Sequence, residues 1–166
     1  MRRLTYIIIV IIGTLVLAGL ASAQMIGAFK GERGPVHITS QQLEADYQAQ
    51  IITFIGNVVA RQKGFTLYAD RLLLFIGGEV KEIDKIVARG NVRLVQDKRK
   101  ATCREATYYH REGTVVLRGE PVVREGENWV SGKRIIYYID EKKSVAEGEG
   151  EERVTVTIIP RGETNE

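Results

Sequence analysis

One cysteine, Cys103, and two histidines, His37 and His110, are all the thiol and imidazole chemistry that this 166-residue chain offers. A single cysteine excludes an intramolecular disulfide. Scarce cysteine also suits a chain exported to an oxidising compartment. The sequence assigns Cys103 no basic partner that would activate it, so it reads as a small buried side chain. Neither histidine has cysteine or carboxylate at zinc spacing. There is no G-x-S-x-G, no phosphate-binding loop and no dinucleotide fingerprint. The acidic run from Glu147 to Glu152 reads as a solvated face and not as a catalytic pair. The chain is therefore expected to be no enzyme and to need no metal or cofactor, and nothing in it is built to split ATP. A formal charge of +3 is too mild to argue for a nucleic-acid partner.

One long apolar run is present, Leu4 to Leu20, preceded by Arg2 and Arg3 and followed by Ala-Ser-Ala-Gln at 21–24. A basic start, an apolar middle and small residues at Ala21 and Ala23 describe a secretory signal peptide over 1–23. Cleavage after Ala23 leaves 22 basic and 21 acidic residues, a net charge of +1. The run is also about the minimum that spans a bilayer, so an uncleaved anchor is the alternative. The first residue of the exported protein, Gln24 or Met1, decides between them. Residues 24–35 hold three glycines and a proline and read as a flexible lead-in.

Helical periodicity is absent from Val36 onward. Period-two alternation takes its place, heavy in Val, Ile, Thr and Tyr and broken every eight to ten residues by turn chemistry. The breaks fall at 76–79, 96–100, 111–114, 124–128 and 140–143. Short strands at that spacing predict an all-β, antiparallel domain over 36–159, with a polar tail at 160–166.

The chain also repeats itself. Gly56, Gly90, Gly119 and Gly148 are 34, 29 and 29 residues apart, and the first gap contains the extra hairpin Ile-Gly-Gly-Glu-Val-Lys at 76–81. Sixteen places before each glycine, or twenty-one in the extended copy, stand Ser40, Ala69, Cys103 and Gly132. Apolar residues recur around both landmarks on one alternating face, as strand geometry requires when one face is buried. The inward set near the glycines includes Ile52, Phe54, Ile86, Ala88, Val115, Leu117, Val58, Val92, Leu94 and Val123. Arg89, Arg93, Arg118 and Arg124 fall on the outward face, which also carries Val59, Val87, Val95 and Val116. Each copy thus predicts about four short strands, with the glycine at a bend where a Cβ would crowd. A repeat that cannot bury its own apolar face stacks on its neighbours. Small inward residues, among them Ala45, Ala60, Ala69 and Ala106, leave two options: closely packed sheets or room for a guest.

Three segments carry a resemblance: Ile38–Leu43 in the pattern I-x-S-x-x-L, Thr-Phe-Ile-Gly-Asn-Val at 53–58, and Ala-Asp-Arg-Leu at 69–72. With 133–148 and 152–160 they resemble the OstA-like (LptA) family of periplasmic lipopolysaccharide-transport proteins, over about residues 36–160. The resemblance implies an antiparallel two-sheet β-jellyroll, folded like a taco. It also implies head-to-tail stacking into a bridge between inner and outer membranes, with lipopolysaccharide acyl chains in the apolar groove. LptC-like proteins at the inner membrane and LptD-like proteins at the outer membrane are the implied partners. An LptC-like anchored subunit is the alternative if Leu4–Leu20 is retained; a structural β-repeat without ligand is another. Expected lipid contacts are Ile38, Leu43, Ile52, Phe54, Leu67, Leu72, Leu74, Ile86, Leu94, Tyr108, Val115, Leu117, Val123, Ile135 and Tyr137. Expected pairing edges hold Val36, Ile38, Val154, Val156 and Ile158; the stretch Arg153–Ile159 has no proline or glycine and strong β character. The densest basic stretch, 93–104, lacks the interleaved aromatics that base stacking needs. It reads as a solvated turn or as a contact for the anionic phosphates of lipid A.

Overall fold

The computed structural model describes residues 35–77 and 82–160. The expected signal peptide, the lead-in apart from Pro35, residues 78–81 of the extra hairpin and the tail beyond Pro160 lie outside the described residues. All regular structure among the described residues is β-strand. In chain order the strands are β1 (His37–Thr39), β2 (Gln42–Asp46), β3 (Ile51–Gln62), β4 (Phe65–Gly77), β5 (Glu82–Gln96) and β6 (Arg99–Tyr109). They continue as β7 (Thr114–Arg118), β8 (Val122–Glu125), β9 (Asn128–Ser131), β10 (Arg134–Tyr138), β11 (Lys143–Glu147) and β12 (Thr155–Thr157).

The pairings are antiparallel throughout and join all twelve strands into one open sheet. The expected two sheets are two panels of this one sheet, because β3, β4, β5 and β6 run unbroken from one panel into the other. The first panel runs β2, β3 (51–55), β4 (71–77), β5 (82–89), β6 (105–109), β7, β10, β11. The second runs β1, β3 (58–62), β4 (65–68), β5 (92–96), β6 (99–103), β8, β9, β12. Each panel has eight segments, and each sequence repeat supplies two segments to either panel. The short strands of the repeat are thus present as segments, fused wherever the ladder survives the bend. It does not survive at Pro121, which lacks the N–H that a ladder requires, and β7 and β8 are separate.

The bends lie at the repeated glycines. Gly56–Asn57 stand opposite the single residue Asp70, and Gly90–Asn91 opposite Arg104, so each is a β-bulge. Both residues of each pair have positive φ, 79° and 46° at the first, 75° and 47° at the second. Glycine tolerates that region freely, and asparagine better than most residues. Space is a second demand at Gly90: an added Cβ would overlap the Asp70 side chain and come within 2.9 Å of its Cβ. On the outside of the bends, polar partners close the backbone. Asn91 Nδ2 donates to Asp70 Oδ2 at 2.8 Å, Arg89 pairs with Glu105 at 2.8 Å, and Arg104 with Glu120 at 2.9 Å. These exposed contacts are worth at most about 1 kcal/mol each. They mark direction more than they add stability.

Folding along the bends brings the inward residues of both panels into one hydrophobic cluster, from Val58 and Leu67 through Leu72, Val92 and Leu117 to Ile135. Burial of such side chains is worth about 1.5–3 kcal/mol each, so the cluster, and not the polar bend, holds the panels together. Gly90→Ala should lower unfolding free energy by about 1–3 kcal/mol, from backbone strain and overlap with Asp70. Urea denaturation of Gly90→Ala alone and with Asp70→Ala measures this. The double variant should relieve the overlap with the carboxyl group and keep both the strain and the close contact with the residue-70 Cβ.

Candidate functional site

Cross-strand register turns the inward residues into continuous rows. Beside the bend of the first panel runs Leu43–Phe54–Leu72–Ala88–Ala106–Leu117–Ile135–Ala146. One step further out runs Ala45–Ile52–Leu74–Ile86–Tyr108–Val115–Tyr137–Ser144. Facing them in the second panel is Ile38–Ala60–Leu67–Leu94–Ala101–Val123–Val130–Val156. All fifteen residues that the sequence nominated fall on these three rows. Neighbouring side chains across antiparallel strands stand about 4.5–5.5 Å apart, close enough for each row to be a continuous apolar track.

Exposure along the tracks is uneven. Leu72 and Leu117, in the middle, are each 2% exposed, and Leu67, Leu94, Tyr108, Val115, Ile135 and Tyr137 are buried with them. Alanines at 60, 69, 88, 101 and 106 let the panels approach closely there. In the first repeat nothing among the described residues stacks on the tracks from outside. Leu43 is 57% exposed there, and Ile38, Ile52 and Phe54 are only half-buried. Leu74, Ile86 and Val123 are half-buried as well. At the far end Val156 is 55% exposed, beside exposed Val154 and Ile158. The interior is thus a packed centre with apolar mouths at the first and last repeats. Val36, Leu43 and Tyr47 at one end, and Val154, Val156, Ile158 and Ile159 at the other, hold most of the large exposed apolar side chains.

The nucleophile candidates are quiet. Cys103 is buried on the inward face, and burial pushes its thiol up to about 12, with backbone hydrogen bonds to it opposing only part of that rise. His37 lies exposed on β1; His110 sits at the turn after β6 with its Nδ1 3.1 Å from the Tyr108 hydroxyl. Among the described residues no three His, Cys, Asp or Glu side chains gather closely enough to hold a metal ion.

Two features escaped the sequence reading. The outward positions Val87, Thr107 and Val116 form a row of their own and are nearly as buried as the core. They are flanked by the Arg89–Glu105 pair on one side and by Lys85 and Tyr109 on the other. The basic stretch 93–104 is also not one solvated surface. Lys98 and Lys100 are exposed, Arg93 lies over the Tyr68 ring, but Arg99 points inward. Alternation counted back from Ala101 and Cys103 was the available signal.

The comparisons with known proteins follow this geometry. The family model described as LptA/(LptD N-terminal domain) LPS transport protein matches residues 37–143. The lipopolysaccharide export system protein LptA of Escherichia coli (strain K12) is 33% identical over 155 residues, covering 88% of this chain and 84% of that protein. The protein of the same description from Shigella flexneri gives the same figures. Among solved structures, LptH of Pseudomonas aeruginosa superposes with a TM-score of 0.66 at 18% identity, covering 76% of this chain and 96% of that one. LptH is described as the LptA-homologous periplasmic component of a conserved lipopolysaccharide transport device. Its likeness shows that the open, bent sheet is a shared fold.

The uneven burial has a direct consequence. Leu72→Ala should cost about 2–5 kcal/mol, because it opens a cavity in the packed centre. Leu43→Ala should stay within about 0.5 kcal/mol, because its side chain is already in water. Chemical denaturation of the two variants checks the contrast.

Proposed function

Because the chain belongs to the LptA/LptD N-terminal family of lipopolysaccharide-transport proteins, we propose that it carries lipopolysaccharide by holding acyl chains between its two panels. It would pass them toward the outer membrane as one segment of a head-to-tail bridge across the periplasm. The observation that carries this reading is the set of three apolar tracks, which run the length of an open sheet and emerge at both ends. Each methylene removed from water is worth about 0.8 kcal/mol, so a few acyl chains have ample affinity without a deep polar site. A cargo that must also leave is served by an open-sided groove. In the packed centre the panels close on each other through small residues. Acyl chains would enter at the exposed first repeat and replace panel-to-panel contacts with lipid contacts of the same kind. Such an exchange of like for like keeps the free-energy cost of opening small.

The ends support the bridge. Among the described residues β1 and β2 pair only with β3, β11 only with β10, and β12 only with β9, so each terminal repeat presents strand edges that no described strand covers. Free edges are usually blunted by charge or proline. Here Val36, Ile38, Val154, Val156 and Ile158 leave them apolar and β-prone. Joining one end to the other is a heterologous contact, which does not close and so builds filaments. Proteins of the same fold at either membrane, LptC-like and LptD-like, would cap such a filament by the same strand addition. Export by the leader, with cleavage after Ala23, would deliver a soluble segment; retention of the leader would give an anchored one. The reading assigns a carrier and no catalytic step.

Photo-crosslinking amino acids at Phe54 and Leu43 should capture lipopolysaccharide, and those at Arg118 and Arg124 should not. Equal capture on inward and outward positions would refute the interior route. Val156→Lys places a charge on the last edge and should shorten the assemblies seen by light scattering. An unchanged size distribution would remove β12 from the junction.

A further inference from the structure

At the rim of the second panel, one step beyond the apolar track, the register aligns Gln62, Phe65, Gln96, Arg99, Glu125 and Asn128. This inward row holds the only cation and the only anion on the inward positions of that panel's described strands. Arg99 Nε donates to Glu125 Oε1 at 3.0 Å, and the Arg99 side chain is only 18% exposed. Tyr137 of the first panel is itself buried. Burial raises its phenol, and the positive charge of Arg99 partly offsets the rise. By register the pair sits at the rim of the second panel, between the apolar track that holds Leu94 and Ala101 and open water.

Stability does not explain this pair. A half-buried ion pair spends most of its Coulomb gain on desolvation, and apolar residues of similar size usually serve as well. A guanidinium does suit one class of partner, because its planar fork matches phosphate oxygens. A lipid with its chains on the apolar tracks would place its polar head at this rim. Resting on the lipid reading above, we propose that Arg99 is the residue that selects a phosphorylated glycolipid head, and that Glu125 occupies it as a stand-in anion until the lipid phosphate displaces it. The exchange forms and breaks no covalent bond. One anionic oxygen replaces another on the guanidinium.

The test uses the full chain with benzophenone side chains at Phe54, reporting lipid in the interior, or at Val123, on the inward track beside Glu125. The probes are a phosphorylated acylated glucosamine disaccharide and its dephosphorylated counterpart. Capture at Val123 should favour the phosphorylated probe by about tenfold, the scale of one charge-assisted hydrogen-bonded contact. Arg99→Gln should erase that preference, as should Arg99→Gln with Glu125→Gln, which leaves no unpaired charge to disturb folding. Glu125→Gln should lower the concentration of phosphorylated probe needed and leave its counterpart unchanged. Preference that survives loss of Arg99, or its absence in the unaltered chain while Phe54 still captures both probes, overturns the assignment of Arg99 alone. Failure of Phe54 to capture either probe overturns the lipid reading itself. Inorganic phosphate at millimolar concentration should not abolish the preference; if it does, the site takes free phosphate and the lipid assignment falls.

Discussion

At Gly56–Asn57, Gly90–Asn91 and Gly119–Glu120 two successive residues have positive φ, and the rest of the architecture depends on the chain passing through those points. A strand buries one face. Four strands of eleven to fifteen residues side by side would leave a broad apolar sheet with nothing to cover it. The bulge places two residues against one, turns the strand and restores the inward alternation on the far side. One sheet then covers itself. Because the same bend recurs in successive repeats, the fold lines add up along the sheet, and the apolar faces of both panels meet in a single cluster.

This solution has an end effect. Each repeat is covered by the next through backbone hydrogen bonds and shared rows, but the first and last repeats have one neighbour each. Among the described residues their apolar rows stop in water at Leu43 and Val156, and their edge strands have one ladder partner each. A closed barrel would have neither feature. On the proposed reading, openness would let the protein serve both as a conduit and as a building unit. The tracks can continue into an adjoining copy, and the seam between panels can part without breaking any strand ladder, because the ladders run around the bend and not across the seam.

Much of this was legible beforehand. Glycine spacing located the bends, and alternation placed all fifteen nominated residues on the inward rows. Both are local properties of a chain: a side chain's face follows from parity, and a positive φ selects glycine. The fusion of short strands into long ones was not legible, because it depends on whether hydrogen bonds continue past a bulge. The burial of outward Val87, Thr107 and Val116 was hidden too, since parity assigns a face and not its exposure. Arg99 was lost inside a basic stretch whose charge density drew more notice than its parity.

Composition, periodicity and the repeat were sufficient by themselves to determine an all-β chain with one apolar face and a glycine bend in each of the first three copies. They could not separate core from groove, because Leu72 and Leu43 occupy the same row in the same pattern and differ only in what stacks on them. That difference arose only in the tertiary structure, where neighbouring repeats seal the middle and leave the ends in water. It also joined an arginine and a glutamate from two separate strands in one ion pair at the rim. The reason is physical: parity is set by the backbone of each strand alone, whereas burial and charge pairing depend on distances between strands far apart in sequence.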